Sequence, residues 1–287
     1  MNRRHFLNTS IAACSLHMLP SLAQASAQRI VSIGGSVTEI VFALGQQDRL
    51  IARDRTSSFP AQALDLPDVG YIRALSPESV LSVSPDLLLT LEGAGPPEAM
   101  QVLQSANVNI ATIPDRYDAK GVIDKILAVG KALETEAAAK ILAGDVKAQL
   151  DGAVAQANAS PVGNRPRVLF ILSAQGGRIM AAGRNSSAAG IIEMAGGDNA
   201  MQGFEGYKPV TNEALISAAP DVVLMMDRSG NHAISDEDLF AIHALSVTPA
   251  GRDKRIVRMN GLHLLGFGPR TASAVTELST ALHKAPL

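Results

Sequence analysis

One pattern occurs twice in this chain, 135 residues apart. Leu75-Ser76-Pro77-Glu78-Ser79-Val80-Leu81-Ser82-Val83-Ser84-Pro85-Asp86 aligns with Val210-Thr211-Asn212-Glu213-Ala214-Leu215-Ile216-Ser217-Ala218-Ala219-Pro220-Asp221. Glu, Pro and Asp coincide, and each copy runs into an apolar strand. Residues 36–45 similarly resemble residues 187–196. A repeated supersecondary unit restricts the fold more than any single motif, because both copies must bury the same faces.

The unit is α/β. Arg29-Ile30-Val31-Ser32-Ile33 reads as a buried strand, Gly34-Gly35-Ser36 as a turn, and Glu39 to Leu44 as a helix stopped by Gly45. Further strands are expected at Leu50-Ile51-Ala52, Leu87-Leu88-Leu89-Thr90 and residues 108–113, with helices at 76–83 and 100–106. Apolar strands alternating with helices predict a parallel sheet covered on both faces. Residues 118–159 break the rhythm. Val122, Ile123, Ile126, Leu127 and Val129 mark one helix, and Leu142, Val146, Leu150 and Val154 mark the stripe of a longer one. Continuous from Glu134 to Asn158, the latter would span about 37 Å. Pro161, Gly163 and Pro166 end it, and Arg167-Val168-Leu169-Phe170-Ile171-Leu172 opens the second unit. The expected architecture is two Rossmann-like α/β lobes joined by a single long α-helix. Its parts are an N-terminal lobe over 28–117, a helical connector over 118–163 and a C-terminal lobe over 164–287. A ligand is expected in the cleft between the lobes, at the carboxyl ends of the strands. A bridging helix should limit closure to small movements.

Composition narrows the function. The 287 residues are 47% hydrophobic and 18% charged, which excludes disorder. Formal charge is −2 and no basic run exists, so nucleic acid is not an expected partner. The single cysteine, Cys14, excludes an internal disulfide framework and Cys-based zinc. Residues 1–27 read as an export signal: Arg3 and Arg4, an apolar stretch too short to span a bilayer, then Ala25-Ser26-Ala27. The route is Sec or twin-arginine, since Arg3-Arg4-His5-Phe6-Leu7-Asn8 resembles the latter signal. A lipid anchor at Cys14 is the weaker reading, because the apolar run before it is short and interrupted. The expected location is the periplasm. The chain contains no GxGxxG, P-loop, GxSxG or HExxH, so it is read as a binding protein and not an enzyme.

Asp68-Val69-Gly70-Tyr71-Ile72-Arg73 enters the first repeated segment as a loop. A phenol is a poor metal ligand near neutrality, with an ordinary pKa of about 10. Ferric iron competes for the phenolate, and a neighbouring Arg favours the charged form. Tyr is an axial ligand of haem iron in known proteins. His232, His243 and His263 have no metal-ligand spacing and read as surface or core histidines.

Gly70-Tyr71-Ile72-Arg73-Ala74-Leu75-Ser76-Pro77-Glu78 resembles the haem-binding proteins of bacterial haem ABC importers. So do Arg53-Asp54-Arg55-Thr56-Ser57-Ser58-Phe59-Pro60, Met180-Ala181-Ala182-Gly183-Arg184, Thr248-Pro249-Ala250-Gly251-Arg252 and Gly266-Phe267-Gly268-Pro269-Arg270-Thr271. The similarity covers residues 29–284 and extends to the wider group of helix-linked binding proteins that take siderophores and cobalamin. The resemblance implies a class III periplasmic binding protein fold with haem as transported ligand. It implies Tyr71 as axial ligand to ferric haem, Arg73 beside it on the phenolate or a propionate, and Arg228 on a propionate. It further implies that Glu78 and Glu213 dock on arginines of an inner-membrane ABC haem permease with its ATPase, the binding protein being monomeric. The alternative within the same fold is a ferric-siderophore or cobalamin carrier; outside transport it is a haem store or sensor.

Overall fold

The computed structural model describes residues 27–159, 165–227 and 234–284. The stretch read as an export signal therefore lies outside the described residues, apart from Ala27. The first lobe contains β1 (Ile30–Ile33), α1 (Gly35–Ala43), β2 (Leu50–Arg53), β3 (Gly70–Tyr71), β4 (Ala74–Leu75), α2 (Pro77–Leu81), β5 (Leu87–Leu91), α3 (Pro97–Ser105) and β6 (Asn109–Ile113). Next come α4 (Ala119–Ala132) and α5 (Glu136–Ala157). The second lobe opens with β7 (Arg167–Gln175), β8 (Arg178–Ala182), α6 (Ser187–Met194), β9 (Asp198–Asn199), β10 (Tyr207–Val210), α7 (Asn212–Ala218) and β11 (Val222–Met226). It closes with α8 (Asp236–Ala241), α9 (His243–Ser246), α10 (Pro249–Arg252), β12 (Ile256–Met259), α11 (Gly261–Leu265) and α12 (Thr271–His283).

The first sheet is parallel throughout, in the order β2-β1-β5-β6. Leu87, Leu88, Leu89 and Thr90 are all buried, as a strand covered on both faces requires. The second sheet runs β10-β8-β7-β11-β12, with β9 added beside β7. Its β7, β11 and β12 are parallel, whereas β8 and β10 are antiparallel additions.

The sequence repeat is a structural one. Ser76 and Thr211 cap α2 and α7 by accepting from the backbone N–H three residues on, at 3.3 and 3.2 Å. Ser84 and Ala219 both take a left-handed φ, of 48° and 43°, to end these helices. The following carboxylates, Asp86 and Asp221, accept from the backbone N–H of Arg29 and Arg167 at the start of the neighbouring strand. Helices α1 and α6 end alike: Gly45 and Gly196 sit at φ 68° and 81°, each followed by the paired backbone bonds of a Schellman motif.

Two expectations need revision. The second lobe is not a parallel copy of the first, because Gly176 and Gly177 (φ 58° and 74°) form a two-residue hairpin turn that folds β8 back on β7. The long helix also starts later than expected. Glu134 takes φ 59°, turning the chain between α4 and α5, so α5 has 22 residues and spans about 33 Å.

The connector is part of the core. One apolar cluster runs from Ile30 and Val41 through Val122, Ile126, Val146 and Leu150 to Phe170, Val275 and Leu282. A Cβ at Gly130 would strike Ala139, so glycine permits the close α4–α5 crossing. Polar ties also cross between the lobes. The fully buried Lys125 of α4 donates to Asp115 (2.7 Å), to Ser36 of α1 (3.3 Å) and to the Gly266 carbonyl (3.3 Å). Arg270 donates two bonds to Glu39 of α1, at 3.0 and 2.6 Å. Beside them α1 meets the opposite lobe so closely that a Cβ at Gly35 would collide with Leu262.

Candidate functional site

The floor of the cleft is made by chain leaving the carboxyl ends of the first-lobe strands. Asp54, fully buried just after β2, organises it. Its carboxylate accepts from Gly34 N (2.9 Å), Thr56 N (3.0 Å), Thr56 Oγ1 (2.7 Å) and Ser57 Oγ (2.7 Å). Ser57 continues through Thr38 to Ser32 by hydroxyl bonds of 2.6 and 2.7 Å.

Tyr71 stands on a small hairpin fixed to this floor. Strands β3 and β4 pair Gly70 with Leu75 and Tyr71 with Ala74. Gly70 takes φ 113°, which excludes other residues without strain, and its carbonyl accepts from Arg55 N at 2.7 Å. Ile72 and Gly95, then Leu75 and Gly95, are joined by backbone bonds of 2.9 Å. Val69, Ile72 and Leu75 turn into the core, so Tyr71, Arg73 and Ala74 point outward. Tyr71 is 41% exposed. Among the described residues its hydroxyl has no hydrogen-bond partner, and neither has the Arg73 guanidinium.

The arginine serves the cleft more broadly than the sequence implies. No hydrogen bond joins Arg73 to Tyr71 among the described residues; its charge instead lies near enough to Tyr117 and Tyr207 to favour their ionised forms. Burial outweighs that effect. Tyr117 is pushed up to about 12, by burial first and by Asp115 second. Burial also raises Tyr207, whose hydroxyl is bonded to Ser187 Oγ at 2.8 Å and accepts from Ala188 N at 3.4 Å. Both therefore stay phenols at neutral pH. Tyr117 packs edge-on against Phe267 of the second lobe, with centroids 5.5 Å apart. Of the three tyrosines, Tyr71 alone is both exposed and without a hydrogen-bond partner among the described residues. Sequence reasoning missed Tyr117 and Tyr207; the scarcity of aromatics was the available signal.

The other candidates fall as follows. Arg228 and His232 lie outside the described residues. Glu78 and Glu213 occupy matching first turns of α2 and α7 and are fully exposed. Both carboxyls are held below the usual range, Glu78 chiefly by Ser76 Oγ at 2.6 Å and Glu213 chiefly by its own backbone N–H. His263 is committed to Glu277 (3.1 Å) and Arg270 (3.3 Å). Among the described residues no group of three or more His, Cys, Asp or Glu side chains could hold a metal ion. A cavity of about 1110 Å³ lies between Arg116–Asp118 and α6. Tyr117 lines it, but Tyr71 and Arg73 do not.

Two α/β lobes joined through helices, with the free side chains at the strand ends between them, make a class III periplasmic binding protein fold. Residues 30–261 match the Periplasmic binding protein family, and the chain belongs to it. A solved periplasmic haem-binding protein, BhuT in complex with two haems, superimposes with a TM-score of 0.83. It is 41% identical, over 88% of this chain and 98% of its own. The haem-binding protein RhuT from Roseiflexus sp. RS-1 gives 0.84 at 36% identity, over 90% and 98%. Among curated proteins, the vitamin B12-binding protein of Vibrio campbellii is 26% identical over 90% of either chain.

Proposed function

We propose that this protein is a periplasmic carrier of haem, which it captures between its lobes with Tyr71 as axial ligand to ferric iron. The observation that carries the reading is the pair Tyr71 and Arg73. Both are aimed out of a rigid hairpin, and neither is satisfied by the described residues. A phenolate oxygen suits trivalent iron, and a free guanidinium nearby neutralises the phenolate or a propionate. Tyr117 and Tyr207, kept as phenols by burial, do not compete for the metal. Relatives at 41% and 36% identity that bind haem support the ligand class. Arg228 would add a propionate contact from the second lobe. The loaded protein then passes haem to an inner-membrane ABC permease through Glu78 and Glu213. No covalent chemistry is involved.

The curated relative named for vitamin B12 favours a second reading, cobalamin in the same cleft. Titration separates the two. Purified protein with haemin is expected to give a saturating Soret band with phenolate-ligated ferric character, which Tyr71→Phe shifts or abolishes. Cyanocobalamin is expected neither to bind nor to compete. An unchanged haem spectrum in Tyr71→Phe would remove the ligand assignment, and saturable cobalamin binding without haem binding would replace the cargo.

A further inference from the structure

A second exposed aromatic side chain sits on the loop bonded to the Tyr71 hairpin. Phe59 is 42% exposed in a chain with only ten aromatic rings, seven of them Phe. It follows β2 at the carboxyl edge of the first sheet, on the loop that begins with Asp54 and hydrogen-bonds to the Tyr71 hairpin through Arg55 N and Gly70 O. One face of its ring is covered from across the cleft. The Arg270 guanidinium carbon lies 3.6 Å from the ring centroid. That guanidinium is not a loose surface group: Glu39, itself 6% exposed, grips it with two bonds and His263 Nδ1 meets it at 3.3 Å. A cation on one face draws on the ring's electron density and leaves the remainder of the ring suited to an apolar, electron-rich partner.

Nothing among the described residues supplies that partner, whereas the cargo would. A porphyrin exposes two broad apolar faces, and an axial oxygen from Tyr71 covers neither. We propose that Phe59 is the platform on which the planar ring of the ligand packs, positioned by Arg270 from the opposite lobe. This rests on the haem reading above and adds to it a residue responsible for affinity rather than for metal ligation. Because the platform needs Arg270 of one lobe and Glu39 of the other, it is complete only at the present lobe spacing.

Haemin titration of the full mature protein tests it, read by Soret absorbance, with circular dichroism as a check on folding. Phe59→Ala and Phe59→Leu are each expected to weaken binding about tenfold, with the Soret maximum unmoved because Tyr71 is intact. Phe59→Tyr keeps the ring and retains wild-type affinity. Arg270→Gln weakens binding in the same direction, again without a spectral shift. Phe59→Leu preserves apolar bulk, so it decides the matter if the alanine variant fails to fold. Affinities within twofold of wild type in the folded Ala and Leu variants overturn the platform while leaving the haem reading intact. Wild-type protein that gives no Soret band sinks the haem reading, and the platform with it.

Discussion

Asp54 and Lys125 are buried charges with opposite circumstances. Asp54 accepts four hydrogen bonds and closes the turn that carries the cleft floor. Its replacement by Ala orphans buried donors, so Asp54→Ala is expected to lower unfolding free energy by about 3 kcal/mol in urea titrations and to weaken haem binding. Lys125 has one carboxylate, one hydroxyl and one carbonyl around it, yet burial still holds its pKa below the ordinary value, against the raising effects of Asp115 and Glu39. An amine depressed in the folded state binds fewer protons there than when unfolded, in the window from its lowered pKa up to about 10.4. Its contribution to stability therefore rises with pH across that window and is smallest below it. Urea midpoints at about pH 7 and pH 9.5 are expected to show a smaller alkaline gain, or none, in Lys125→Met than in wild type. Equal slopes would show that the buried amine is not the titrating group.

At the level of elements, α2 and α7 repeat cap, glutamate and left-handed exit residue for residue. The helix dipole alone accounts for an acidic first turn, so the docking role needs its own measurement. Glu78→Ala with Glu213→Ala is expected to leave haem affinity unchanged and to lower haem delivery in reconstituted permease vesicles. Undiminished delivery would assign both glutamates to helix capping. Since both carboxyls are held below the usual range, the wild-type advantage should persist into mildly acidic buffer. The repeat was legible in the sequence because caps, Pro and Asp are local signals with fixed offsets. Strands β1, β5 and β11 were legible as strongly apolar runs, interrupted only by Ser32 and Thr90. The β7–β8 hairpin was not read, although Gln175-Gly176-Gly177-Arg178 is a hairpin-turn signal. The break between α4 and α5 was placed to within two residues, but glutamate at the left-handed position of a helix end, closed by Glu134 N–Lys131 O and Thr135 N–Gly130 O, carried no sequence signal. Within the site, the outward placing of Tyr71 and Arg73 was expected from a loop; the β3–β4 hairpin that carries them was not read. The Arg270–Phe59 contact was not, since its partners lie 211 positions apart and meet only when the lobes assemble.

On the scale of the molecule, the lobes are joined by more than a helix. The core cluster is shared, and Lys125 and Arg270 tie α1 to the opposite lobe. Lobe rotation must break the Arg270–Glu39 ion pair and the Lys125–Gly266 hydrogen bond; loss of a buried ion pair costs about 3–5 kcal/mol when one partner is left uncompensated. Spin labels at Ser105→Cys and Glu237→Cys, in a mature chain without other cysteines, should report one narrow distance that haemin barely changes. Adding Glu39→Gln is expected to broaden it. A large shift on loading wild-type protein would contradict this picture. A jaw pinned at its base is also a gauge. Its opening is preset by the Arg270–Glu39 and Lys125–Gly266 ties before any cargo arrives.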